Sequence, residues 1–222
     1  MCRDGADSRI PILTAPESGY VAGLKGDSQP VIERLVDLSD SEALLAEIER
    51  LRGEVDTLKQ QAERLDRLAH QDSLIDLPNR RGFMRQLDML IGRVSRYGES
   101  AAMLFVDLDG LKAINDGHGH KAGDEALIRV AELLSEGVRQ GDCVARIGGD
   151  EFGILLAHSD EESARETAAR LAEIVASARF ACDNKPLKLG VAVGVTMIEQ
   201  DDQPDAVMAR ADSAMYKKKA AA

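Results

Sequence analysis

"VARIGGDEFGILLAH", residues 144–158, is an apolar run broken at its centre by two glycines and two adjacent acids. The arms "CVARI" and "FGILLA" read as short buried strands, and Gly148, Gly149, Asp150 and Glu151 between them suit a tight hairpin tip. Glycine there permits positive φ and lets a ligand approach the backbone. A hairpin by itself needs only a polar turn, so the two acids stay open between a solvated tip and a site. Working outward, the patterning predicts a helix over about 80–97, a buried strand "AAMLFVDL" at 101–108 and a helix over about 124–138. The hairpin over about 142–157 follows, then a helix over about 160–178, a strand "LKLGVAVGVTM" at 187–197 and a last helix over about 204–219. Strands interleaved with helices around one antiparallel hairpin predict an α/β sandwich with a mixed or antiparallel central sheet.

The chain has 222 residues, room for one ordinary domain plus an extension. Aromatics make up 3% and tryptophan is absent, so the core must rest on Leu, Ile, Val, Ala and Met. Lys and Arg total 28 against 39 Asp and Glu, a net charge of −11, which argues against a broad DNA- or RNA-binding surface. A nucleotide bound here is expected to be small and escorted by metal. Cys2, Cys143 and Cys182 have no metal-ligand or disulfide spacing and point to a reducing cytoplasm. The start lacks the apolar stretch of a signal peptide, and no run approaches the roughly 18 apolar residues of a membrane span.

Residues 1–38 mix Gly, Pro, Ser and Asp and are expected to be flexible, with a possible short helix at "VIERLVDL" (31–38). Ser39 with Glu42 resembles a capping box opening a long helix over 39–70. Its apolar residues step by four and three: Leu44, Ile48, Leu51, Val55, Leu58, Ala62, Leu65, Ala69. Ile48 and Val55 at the a positions with Leu at every d position favour a parallel coiled-coil homodimer. Glu47 to Arg52 and Glu54 to Lys59 have the spacing of interchain g-to-e′ pairs. The other reading is a single helix packed on its own domain. Pro78 and Gly82 end the seam, so the globular domain is placed at 71–222.

A second acidic cluster, "MLFVDLDGLKAINDGHGHKAGDEAL" (103–127), puts Asp107 and Asp109 at the end of a buried strand. Carboxylates from two neighbouring strand ends suit Mg²⁺, a hard cation that keeps positions for water and substrate phosphate, with Mn²⁺ as an alternative. The two histidines of "HGH" (118–120) lack further ligands and make a poor zinc site.

Taken with "DSLIDLPNRR" (72–81), "DLDGLKAINDGHGHKAGD" (107–124) and "ARADSAMYKKK" (209–219), the signature "RIGGDEF" (146–152) strongly resembles the GGDEF family of diguanylate cyclases. The resemblance implies a cyclase-like palm domain binding one GTP per subunit. Two such domains face each other and join two GTP into cyclic di-GMP with release of two pyrophosphates. It implies Asp107, Asp150 and the Leu108 carbonyl as metal ligands, and Glu151 as the acid that assists the metal or deprotonates the 3′-hydroxyl. Asn115 and Asp124 match its guanine-reading pair, while Lys112 and Lys219 match its phosphate-contacting lysines. Gly148 and Gly149 would make room for GTP. "RQGD" (139–142) matches the family's product-inhibition site, with Arg139 gripping cyclic di-GMP and Asp142 supporting it.

Each residue also has a plainer reading: Asn115 and Asp124 as helix caps, Lys219 as a solvated helix end, Arg139 and Asp142 as helix-end and turn residues. Ile75 and Asp76 stand where the family usually has Thr-Gly, which touches the coupling of the coiled coil to the domain. Ala192 replaces a small hydroxyl residue and Gly110 an aromatic. An arginine usual after the terminal lysine is absent, so weaker GTP binding or compensation by Lys217 or Lys218 is expected. The alternative function is a non-catalytic receptor for cyclic di-GMP or GTP that signals through its helix. The input signal is expected to come from a protein partner.

Overall fold

The structure is a computed structural model that describes residues 38–182 and 185–220. The expectations for residues 1–37, and the Ser39 side chain of the capping box, lie outside the described residues. Helix α1 spans Leu38–His70. The chain divides into two compact units inside this helix, between Val55 and Asp56. Along the helix the seam residues stand in solvent: Leu51 is 45% and Leu65 66% exposed.

From Arg80 onward the order is α2 (Arg80–Tyr97), β1 (Ala101–Leu108), α3 (Leu111–His118), α4 (His120–Glu136), β2 (Cys143–Arg146), β3 (Glu151–Ala157), α5 (Glu161–Ser177), β4 (Phe180–Cys182), β5 (Lys185–Leu187), β6 (Val191–Ile198) and α6 (Pro204–Ala220). The main sheet runs β2-β3-β1-β6, and all its pairings are antiparallel. It is covered on both faces, which is why its strands read as nearly continuous apolar runs. Side chains alternate along β1: Ala102, Leu104, Val106 and Leu108 join one core with α3, α4 and α5 residues. Ala101, Met103 and Phe105 join the other, with α2 and α6. Alternation carries Asp107 onto the α2/α6 side.

The long strand expected at 187–197 is two elements: β5 pairs with β4 in a separate two-stranded sheet, and β6 begins only at Val191. The helix expected from Asp124 starts at His120, and α3 precedes it. Glycines at 110, 117, 119 and 123 hid both from a propensity reading, because glycine weakens helical patterns. Two of them have positional reasons. Gly119, at φ +84°, breaks the chain between the helices, and a Cβ on Gly123 would overlap the Asn115 side chain. Asp124 therefore lies inside α4 and caps nothing, and the N-cap of α4 is Gly119.

Candidate active site

The β1–β3 register sets Asp107 directly opposite Glu151. The Leu108 amide donates to the Asp150 carbonyl at 2.9 Å, which fixes Asp150 beside the end of β1. Asp107, Leu108, Asp150 and Glu151, distant in sequence, thus meet at one end of the sheet. The tip is closed by the Ile147 amide donating to the Glu151 carbonyl at 2.9 Å and the Gly148 amide to the same oxygen at 3.3 Å. Neither Gly148 nor Gly149 has positive φ, contrary to the expectation; the positive-φ glycines among the described residues are Gly98, Gly110 and Gly119. A Cβ at Gly148 would displace the Glu151 carboxylate from its present position, while Gly149 faces open space.

Glu151 is held above the usual carboxylate range, first by burial and then by the charges of Asp107, Asp150 and Asp212, with Arg80 opposing. Arg80, Asp205 and Asp212 share with Glu151 the wall of a cavity of about 270 Å³ between α2 and α6. Lys219, near the end of α6, hydrogen-bonds Asp107 and lies 3.7 Å from Asp109. Partial burial lowers the Lys219 ammonium, but its bond to Asp107 and the charges of Asp107, Asp109 and Asp150 outweigh this and raise it. Lys219 thus stays an exposed residue of the last helical turn and is paired with Asp107. Its reach depends on α6 lying close to β6 at Gly194, where a Cβ would overlap the Ala211 carbonyl and the Met215 amide.

The Lys219 ammonium shows that this strand end holds a cation. Among the described residues no cluster of three or more His, Cys, Asp or Glu side chains has metal-binding geometry. Two carboxylates and a carbonyl nevertheless fit Mg²⁺, which is bound through few protein ligands plus water and substrate phosphates.

The other predicted contacts lie on α3 and α4. Lys112 is exposed on the first turn of α3, and Asp124 is exposed on α4. Asn115 does not cap with its side chain: its Oδ1 is buried and has no hydrogen-bond partner among the described residues. A buried amide oxygen left unpaired is costly, and a ligand donor is one way to satisfy it. At the far end of the hairpin, both Asp142 carboxylate oxygens accept from backbone amides, of Arg139 at 3.0 Å and of Ala157 at 3.2 Å. Asp142 is thus the structural turn residue of the plainer reading, and it also sets the stem from which exposed Arg139 projects. Both line a cavity of about 70 Å³ with His158, Ser163, Thr167 and Arg170. Arg170 was missed by sequence reasoning because it lies on α5, outside every motif.

A profile of the family described as "Diguanylate cyclase, GGDEF domain" matches residues 69–222. The chain belongs to the GGDEF domain family. It is 40% identical over 152 residues to the probable diguanylate cyclase DgcE of Escherichia coli K12, covering 68% of this chain and 14% of that protein. It is 33% identical over 215 residues to the diguanylate cyclase DgcP of Pseudomonas aeruginosa, covering 97% of this chain and 31% of that protein. The chain thus spans less than a third of either relative. The coiled coil and GGDEF domain of DgcB from Caulobacter crescentus, solved in complex with c-di-GMP, superposes with a TM-score of 0.75 at 26% identity, covering 81% of this chain and 95% of that one. The fold class is that of the GGDEF domains. No helix among the described residues is long and apolar enough to cross a membrane.

Proposed function

We propose that this chain is a diguanylate cyclase that condenses two GTP into cyclic di-GMP and two pyrophosphates across a pair of subunits. The observation that carries this is the convergence of Asp107, Asp150 and Glu151 on one strand end beside Lys219. Each bond forms when a 3′-hydroxyl oxygen attacks the α-phosphorus of the other GTP and the bond to pyrophosphate breaks. Glu151, raised by burial and acidic neighbours, is suited to accept the hydroxyl proton. Asp107, Asp150 and the Leu108 carbonyl would hold Mg²⁺, which supplies neutralisation of the phosphate charge. Lys112 and Lys219 would contact the phosphates. Asn115 and Asp124 would read guanine, the first with an unpaired oxygen, the second by accepting from the N1 and N2 donors.

The exposed seam of α1 supports pairing of two copies as a coiled coil, and one subunit alone cannot place two GTP face to face. Arg139, Arg170 and Asp142 form the site we assign to product inhibition, where guanidinium groups pair with phosphate. An activating partner would act through α1. Retention of both signature acids favours turnover over the receptor reading. Incubation with GTP and Mg²⁺ followed by chromatography tests it: cyclic di-GMP is expected, and calorimetric binding of cyclic di-GMP without any turnover would replace the enzyme by the receptor.

A further inference from the structure

At the basic end of β3, one titratable side chain on the wall of the Arg139 cavity has no part in the reaction described above. His158 follows the strand directly and lines that cavity with Ser163 and Thr167 of α5. Its φ is +51°, in the left-handed region that most side chains avoid. The chain is pinned on both sides of it: the Ala157 amide donates to Asp142 Oδ1 at 3.2 Å, and the Ser159 amide donates to the Ser100 carbonyl at 3.0 Å. The backbone therefore sets where the imidazole stands, although the residue is exposed.

The ring touches a further arginine from α2. Arg93 Nη2 donates to His158 Nε2 at 3.3 Å while it also holds the Glu99 carboxylate at 2.7 Å. A guanidinium only donates, so Nε2 is the bare, accepting nitrogen of a neutral ring in this contact. Protonation ends it, because an imidazolium has no acceptor to offer Arg93 and carries the same charge. Its other acceptors are Glu99, 4.0 Å away and already bound by Arg93, and an anion in the cavity beside it. The remaining charged groups facing the cavity are Arg139 and Asp142, from the turn before β2, and Arg170, from α5. Asp142 is committed to two backbone amides, so two guanidinium groups outweigh one occupied carboxylate before the ring adds its own charge.

We infer, resting on the reading of this cavity as the cyclic di-GMP site, that His158 is a further binding residue whose imidazolium joins Arg139 and Arg170 on a phosphodiester, so that product binding tightens as the solution acidifies. Imidazole is the side chain that ordinarily changes charge between about pH 8 and about pH 5.5, whereas a phosphodiester stays anionic throughout. Cyclic di-GMP binding to the full chain is measured by calorimetry at both pH values for the parent, His158→Asn and Arg139→Ala. Asn tolerates the left-handed backbone and gains no charge. The parent is expected to bind about 5-fold or more tightly at the lower pH, and to take up protons with the ligand near about pH 7, read from the buffer dependence of the heat. His158→Asn is expected to bind equally at both pH values with no uptake. Equal affinity and no uptake in the parent, with binding weakened in Arg139→Ala, overturns the inference and leaves the cavity reading in place. A pH dependence that persists undiminished in His158→Asn overturns it too, because the titrating group then lies elsewhere. Binding that Arg139→Ala leaves unchanged removes the cavity reading, and the role of His158 with it.

Discussion

At its first residue β3 presents Glu151 among Asp107, Asp150 and Asp212, whereas at its last, Ala157, it borders a cavity whose charged walls include Arg139 and Arg170. The acidic end is partly buried and assembled from β1, the hairpin and α6. The basic end consists of exposed arginines projecting from a turn that Asp142 holds through backbone amides. One strand thus joins a site where burial and acidic neighbours raise the proton affinity of Glu151 to a site walled by guanidinium groups. Loss of a group at the first should remove chemistry, while loss at the second should leave it and change its control.

The sharpest way to break that contrast is at the acidic end. Asp150→Ala and Glu151→Ala should each lower turnover by about 10³-fold or more, with an unchanged thermal midpoint and far-ultraviolet circular dichroism. Substantial residual activity in Glu151→Ala would mean that the proton leaves by another route. At the basic end, Arg139→Ala and Arg170→Ala should leave the initial rate within about twofold and weaken cyclic di-GMP binding in calorimetry by about 10-fold or more. Equal product binding in variant and parent would remove the cavity from the account.

A smaller effect is expected along α1, where Leu51→Asp with Leu58→Asp puts charge into the exposed seam. Sedimentation should then show monomers where the parent sediments as a dimer, with turnover falling and returning partly at high protein concentration. The smallest effect concerns a structural pair away from both ends. Asp202 is held below the ordinary carboxylate range, mainly by its hydrogen bonds from Arg210, and Arg210 also reaches the Met197 carbonyl on β6. A carboxyl lowered in the folded state adds stability above its unfolded value of about 3.9 and loses it as pH falls through the lowered folded value. Asp202→Asn should therefore melt below the parent at pH 7, and the gap should close below about pH 4.

Much of this was legible in the chain. The apolar runs of β1 and β3 announced a doubly covered sheet, the seam of α1 repeated every seven residues, and Asp107 and Asp150 stood at strand ends where ligands gather. What escaped depended on contacts across long sequence separations or on glycine. Helix α3 and the start of α4 are hidden in the sequence because Gly119 and Gly123 weaken a helical pattern, the first parting the two helices at positive φ and the second lying against the Asn115 side chain. Gly148 does not use the positive φ that glycine permits, and a Cβ there would meet the Glu151 carboxylate, a contact that only the folded hairpin shows. Arg170 lies outside every motif, and Asp212, though inside one, has no local signal for its place beside Glu151, since the fold alone brings α6 near the hairpin.

In the proposed reaction the acidic strand ends of two copies perform one step twice. Pyrophosphate release and cyclic di-GMP formation, measured together on the dimeric fraction supplied with GTP and Mg²⁺, test it most directly. Two pyrophosphates are expected for every cyclic di-GMP, with no release by Asp150→Ala under the same conditions. Cyclic di-GMP bound at the Arg139 cavity with no pyrophosphate released by the parent would contradict it.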